Sequence, residues 1–237
     1  MTITEETLPL FAYTNRRLLN GAPKGIVLQF IGLGGNTRMI REDSDEAALY
    51  AERGILFVIP YINPWAWMNK EAVSLTDEVI DCLFELYALP EGFPLISTGG
   101  SMGGLCALAY AYHAKKTPTA AAANCPVCDL PYHYTERDDL PRTLVSAFGD
   151  YGMPLEEAMK TSSPLHLAQN MPDIPYFVAH CESDLSVNKE KHSDRFVKLL
   201  SETHTVTYCE VPGRGHCDLS PEAKELWYGF IFDACKK

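Results

Sequence analysis

Ser101 stands at the centre of Gly99-Gly100-Ser101-Met102-Gly103-Gly104, between an apolar run that begins at Phe93 and a helix-like stretch that begins at Leu105. Strand, crowded turn, helix is an arrangement that lifts a hydroxyl clear of a sheet. The serine takes a strained positive-φ conformation, and glycine two places to either side avoids a Cβ clash where the strand doubles back onto the helix. Gly99 and Gly103 occupy those places. The next amide, that of Met102, opens the helix, where unpaired N–H donors attract negative charge. A nucleophile and an oxyanion donor in one turn point to acyl transfer. The competing reading, a phosphate-binding loop, requires Lys and then Ser or Thr after the last glycine, and here Leu105-Cys106 follow Gly104. No dinucleotide fingerprint fits cleanly.

A serine hydroxyl is a poor nucleophile near neutral pH, so it needs a histidine base, and that base needs a carboxylate to fix its tautomer. Of the seven histidines, His216 is the strongest candidate, because Pro212-Gly213-Arg214-Gly215-His216 reads as a flexed loop between the last strand and the last helix. His180 is expected to pack at a strand end, His113, His192 and His204 to lie on helix surfaces, and His133 and His166 to fall in a proline-rich segment. For the acid, Asp184 follows the Tyr176-Phe177-Val178-Ala179-His180 strand by a short turn. Its rivals are Glu182, Asp129 and Asp218; Asp129 suits only a rearranged triad, and Asp218 is expected to face solvent or cap the last helix. Asp184 is favoured. This chemistry calls for no cofactor and no metal.

The elements that must carry these residues alternate. Strand-like runs over 8–13, 26–31, 55–60, 95–98, 119–124, 176–180 and 205–211 are interleaved with helical periods over 39–53, 69–89, 102–114, 188–201 and 221–235. That alternation predicts an α/β fold with a mostly parallel central sheet covered by helices on both faces. Between Asn124 and the 176–180 strand the pattern breaks, in some fifty residues carrying seven prolines from Pro126 to Pro175. A structureless loop that long is uncommon in a compact domain. Ser163-Pro164-Leu165 and Pro154-Leu155-Glu156-Glu157 read instead as helix starts. The expectation is a single domain over 1–237 with a lid-like insertion of short helices at about 125–174.

Taken together, Gly99-Gly100-Ser101-Met102-Gly103, His180-Cys181-Glu182-Ser183-Asp184-Leu185-Ser186-Val187 and Gly213-Arg214-Gly215-His216 resemble the elbow, acid loop and histidine loop of the α/β-hydrolase superfamily. Ser101, Asp184 and His216 keep its chain order. In size the chain is similar to dienelactone-hydrolase-like esterases and to the catalytic domain of prolyl-oligopeptidase-type serine peptidases. Members commonly carry His-Gly where the first long strand ends, and the loop after that glycine supplies a second oxyanion amide. This chain has Ile31-Gly32-Leu33-Gly34-Gly35. Because the donor is a backbone group, the resemblance implies Leu33 or Gly34 as partner to Met102. Cys181 stands where glycine is usual.

Composition narrows the partners. The formal charge is −11, so long-range electrostatics disfavour nucleic acid and anionic membrane surfaces. The first seven residues show neither a basic nor an apolar leader pattern, and a cytoplasmic location is expected. The eight cysteines read as thiols rather than a disulfide framework, and Cys125-x-x-Cys128 lacks the second ligand pair of a zinc finger. The loop at 61–68, with Tyr61, Trp65 and Trp67, is read as following a strand beside the nucleophile strand. Its aromatics, with Tyr132, Tyr134 and Phe148, either line a substrate pocket or pack the insertion against the body. The leading function is a serine hydrolase acting on carboxylic esters of small, partly apolar substrates. A peptidase of prolyl-oligopeptidase type and a non-catalytic binding protein on the same fold are the alternatives.

Overall fold

Near-continuous apolar runs make the middle of one seven-stranded sheet in a computed structural model of the protein, which describes residues 2–35 and 37–236. The strands are β1 (Ala12–Thr14), β2 (Gly25–Phe30), β3 (Ile55–Pro60), β4 (Leu95–Gly100), β5 (Ala120–Asn124), β6 (Tyr176–Cys181) and β7 (Val206–Val211). Their spatial order is β1-β3-β2-β4-β5-β6-β7. Only β1 runs antiparallel, pairing Ala12 with Pro60 and Thr14 with Val58 at the sheet edge. Every residue of β3, β5 and β6 is buried, as strands covered on both faces require.

The helices are α1 (Leu8–Phe11), α2 (Asp45–Ala51), α3 (Lys70–Leu86), α4 (Met102–His113), α5 (Leu130–His133), α6 (Leu140–Phe148), α7 (Leu155–Lys160), α8 (Pro164–Leu167), α9 (Arg195–Leu200) and α10 (Pro221–Ala234). Side-chain caps start the long ones: Asn69 accepts from the Ala72 amide and Ser220 from that of Ala223. In α4, Met102 through Ala111 are all buried, because this helix packs on the centre of the sheet and needs no polar face. The four consecutive alanines of β5 let it lie close; truncating Leu105, which is fully buried, would cost about 2–5 kcal/mol.

The order of β2, β3 and β4 decides where chemistry can sit. The chain leaves β2 toward β3 on one side and leaves β4 toward β5 on the other, so the crevice at the C-terminal strand ends opens between β2 and β4. Leu33, Ser101, Cys125, Asp184 and His216 follow β2, β4, β5, β6 and β7 respectively, all at that edge.

Several local expectations fail for physical reasons. Residues 8–11 form a helical turn instead of a strand, with Pro9 in its first turn where a missing N–H costs nothing. The helix expected from residue 39 begins at Asp45, because the Ser44 side chain caps the Ala47 amide. The helix expected over 188–201 is divided into a wide turn, Glu190–Asp194, and α9. Within that turn His192 is fully buried rather than on a surface, its Nδ1 accepting from the amides of Cys128 and Asp129 at 3.0 and 3.2 Å. The strand before loop 61–68 is β3, which pairs with β1 and β2 and not with the nucleophile strand β4.

Residues 125–174 do form short helices, α5 to α8, plus a 3-10 turn at Ala168–Asn170. Ser163 precedes α8 without capping it; its hydroxyl donates to the Met159 carbonyl and accepts from the Leu130 amide. The segment is tied to loop 61–69 by Trp67 Nε1 on Thr143 Oγ1 (3.0 Å), Ser162 Oγ on the Met68 carbonyl (2.9 Å) and the Lys70 amide on Tyr151 Oη (2.7 Å).

Candidate active site

Ser101 has φ 58° and ψ −125°, a left-handed conformation that costs a non-glycine residue about 1–3 kcal/mol and persists only where its surroundings impose it. Here they do. The Ser101 amide donates to the Asn124 carbonyl at 2.9 Å, and its own carbonyl accepts from Leu105 and Val127. A Cβ on Gly99 would come within 2.2 Å of the Gly103 carbonyl, and one on Gly103 within 2.2 Å of the Phe30 carbonyl. The two glycines are therefore a packing requirement of the elbow. Among the described residues Ser101 Oγ makes no hydrogen bond, and it stands over the start of α4 with the Met102 amide beside it.

Two loops at the ends of β6 and β7 are zipped together. The Glu182 amide donates to the Val211 carbonyl, Ser183 to that of Arg214, and Gly213 to the Glu182 carboxylate. This brings Asp184 to His216, with Oδ2 2.6 Å from Nδ1. The other oxygen of Asp184 accepts the amides of Ser186 and Val187 at 2.8 and 3.0 Å. His180 Nε2 lies 3.3 Å from Oδ2, while its Nδ1 meets Ser193 Oγ. Burial alone would raise the Asp184 carboxyl, but His180, His216 and the two amides hold it well below the usual carboxylate range. Burial likewise lowers His216, and the facing Asp184 carboxylate, with Cys125 beside it, more than reverses this, taking it to about 9.

With Nδ1 held by Asp184, Nε2 of His216 is the other ring atom; it lies 3.7 Å from Cys217 Sγ, and among the described residues no hydrogen bond joins it to Ser101 Oγ. Ser101 and His216 share an open cavity of about 460 Å³, walled also by Gln29, Leu33, Arg137 and Ser186. Larger clefts, of about 820 and 880 Å³, lie around Leu95 and Ile55 at the opposite ends of their strands and hold none of these groups.

At the mouth of β2 the two candidate amides separate. Gly34 donates its N–H to the Pro64 carbonyl at 2.8 Å, and Gly35 to that of Gly32. The Leu33 amide has no such partner among the described residues and borders the cavity.

The rival acids are used elsewhere. Asp129 caps the Tyr132 amide and faces Arg195 and His166. Asp218 is an exposed partner of Arg214, and Ser220 caps α10 in its place. Among the aromatic residues, Trp67, against His133, and Phe148 are buried packing elements, whereas Trp65 is exposed, and neither it nor Tyr132 borders the Ser101 cavity.

Several neighbours of the site had no legible signal. Arg137, in a charged stretch that looks like a solvated surface, reaches the cavity wall while forking onto Asp139 at 3.0 and 2.6 Å. Glu136 beside it accepts from buried His133 and His192 at 2.5 and 2.8 Å, which fixes α5 to the Glu190–Asp194 turn. All eight cysteines are unpaired thiols. Cys125, Cys181 and Cys217 gather beneath His216: Cys125 Sγ accepts the amides of the other two, each at 3.3 Å.

The model of the prolyl oligopeptidase family matches residues 81–235. No curated protein sequence matches the chain significantly. Among solved structures, an acylaminoacyl peptidase from Pyrococcus horikoshii superposes with a TM-score of 0.72 at 18% identity, over 89% of this chain and 36% of its own. A puromycin hydrolase gives 0.68 at 18% identity, over 91% and 34%. Esterase B from Lactobacillus rhamnosis gives 0.68 at 15%, over 92% and 79%. The chain thus spans about a third of the length of the peptidase and puromycin hydrolase structures, and its fold is that of the α/β-hydrolases.

Proposed function

The chain belongs to the prolyl oligopeptidase family, and from that premise we propose that it is a serine hydrolase opening carboxylic esters of small, partly apolar substrates through an acyl-enzyme on Ser101. The observation that carries this reading is the 2.6 Å bond between His216 and Asp184 at the rim of the cavity that holds the strained Ser101. Ser101 Oγ attacks the ester carbonyl as His216 Nε2 takes its proton. Asp184 holds the tautomer and stabilises the imidazolium. The oxyanion is received by the amides of Met102 and Leu33, each contributing about 3 kcal/mol to the transition state. His216 returns the proton to the departing alcohol, and water, activated by the same base, releases the acid.

Ester over amide rests on the size of the site. Amide cleavage needs a protonated, poorer leaving group and binding energy from remote peptide contacts. The open 460 Å³ cavity has few side chains to supply them, with Arg137 the one Lys or Arg on its wall among the described residues. In this reading the 125–174 segment is a modest lid, too small to enclose a long acyl chain. A peptidase is the second reading, favoured by the family match and by the acylaminoacyl peptidase fold. A cytoplasmic location accords with eight free thiols, and no helix among the described residues is long and apolar enough to cross a membrane.

Matched aryl-ester and aminoacyl-amide substrates separate the readings. Higher kcat/KM on the ester supports the proposal, preference for the amide promotes the peptidase, and no turnover of either, with no labelling by an active-site phosphonate, leaves a binding scaffold.

A further inference from the structure

Three ligand-type atoms, Cys125 Sγ, Cys217 Sγ and a ring nitrogen of His216, all lie within 4.8 Å of one another. Cys217 Sγ is 3.7 Å from His216 Nε2. A tetrahedral ion with bonds of about 2.3 Å to sulfur and 2.0 Å to nitrogen holds such atoms roughly 3.6–3.8 Å apart, so the cluster needs to close by no more than about 1 Å. The hydrogen bond to Cys217 and burial push the Cys125 thiol up, so an ion there must displace its proton on binding. Cys125 Sγ already accepts two backbone N–H groups, from Cys181 and Cys217, and such donors favour a sulfur that carries negative charge. His216 gives its other nitrogen to Asp184, the carboxylate–histidine relay that orients an imidazole toward a metal.

A second observation lies alongside. Asn124 donates its side-chain amide to the Cys217 carbonyl at 3.1 Å, and its Oδ1 is buried with no hydrogen-bond partner. An orphaned acceptor beside the cluster suits a water on the ion's remaining position. In the other histidine cluster, Glu136 Oε2 already accepts from His133 and His192, and His192 Nδ1 already accepts the Cys128 amide. Cys128, the spacing partner of Cys125 in sequence, turns its Sγ to the Pro126 carbonyl instead.

We propose that Cys125, Cys217 and His216 bind a thiophilic divalent ion of the zinc class, and that the bound ion blocks hydrolysis by occupying Nε2 of His216. Two thiol protons pass to solvent as the ion enters, and no oxidation is involved. The inhibitory half rests on the function proposed above, whereas the binding half does not.

Cobalt(II) and zinc added to the reduced, full-length protein test both halves. Wild type and Ser101→Ala should each take up one equivalent of cobalt with sulfur-to-cobalt charge-transfer absorption, displaced by zinc. In wild type, aryl-ester hydrolysis should fall in step with occupancy and recover when a chelator is added. Cys217→Ser should need at least 100-fold more zinc than wild type for the same fractional inhibition of its own ester hydrolysis, and Cys217→Ser and Cys125→Ser should both lose the sulfur-to-cobalt absorption. Cobalt uptake without thiolate absorption, or equal zinc sensitivity of Cys217→Ser and wild type, overturns the site. Uptake by Ser101→Ala equal to wild type sustains the binding half even if no ester is ever turned over, and lack of uptake by both overturns it irrespective of activity.

Discussion

Gly34 gives its amide to the carbonyl of Pro64 at 2.8 Å, and that single bond chooses between two adjacent donors. A donor spent on a neighbouring loop cannot also receive an oxyanion, so the choice falls on Leu33, whose amide borders the cavity. Leu33→Pro deletes this N–H and should lower kcat by about 10²–10³-fold with KM little changed. Leu33→Ala, which keeps the amide, should stay within a few-fold of wild type. Steady-state kinetics on both variants, with melting temperatures to exclude misfolding, make the comparison.

Asp184 is proposed as the acid on the strength of its 2.6 Å contact with His216. Asp184→Asn should cut kcat by roughly 10³–10⁴-fold, because it leaves His216 in the wrong tautomer. Asp129→Asn should be mild in kcat, since its partners are Arg195, His166 and a helix amide. A reversed ranking moves the acid to the loop after β5.

The pH profile follows from the same pair. His216 must be neutral to accept a proton, and Asp184 holds its protonated form up to about 9. The acid limb of kcat/KM should therefore extend to about pH 9, and Asp184→Asn should move what activity is left toward lower pH. The sign for stability is opposite. A histidine raised above its unfolded value, about 6.5, stabilises the fold fully below that pH and loses the contribution as pH rises through about 9. Asp184, held low, contributes above the ordinary carboxylate value and loses it as pH falls toward its depressed value. Melting temperatures for wild type and Asp184→Asn should converge as pH falls toward the depressed Asp184 value, and at high pH the gap should narrow only by the His216 part as pH rises through about 9.

Substrate length tests the cavity. Short acyl and aromatic esters should show much higher kcat/KM than long-chain esters, and aminoacyl amides should be poor. Equal rates across chain length would contradict a small acyl site of this volume.

What was legible in the sequence was local. Gly99 and Gly103 could be read because backbone approaches backbone there, and glycine is the residue that permits it. The strands β3 to β7 and the periods of α3 and α10 were readable from apolar runs, whereas the cap of α10 was not, Ser220 taking the place read for Asp218. Long-range outcomes were not. The place of β3 beside β2 and away from β4 depends on sheet order, which misplaced loop 61–68 and its tryptophans. The burial of His192 depends on two amides more than sixty positions away in the chain. Leu8–Phe11 mimicked a strand because four residues cannot distinguish a two-fold from a 3.6-fold period. The Cys125, Cys217 and His216 cluster exists only once β5 and β7 converge at the same sheet edge.

The central claim is that Ser101 is the nucleophile. Incubation with a fluorophosphonate probe, followed by intact-mass and peptide mass analysis, should show one adduct located on Ser101, absent from Ser101→Ala, and strongly reduced in His216→Ala although both variants fold. An adduct that persists in Ser101→Ala, or a wild type that hydrolyses esters while Ser101 stays unmodified, would contradict it.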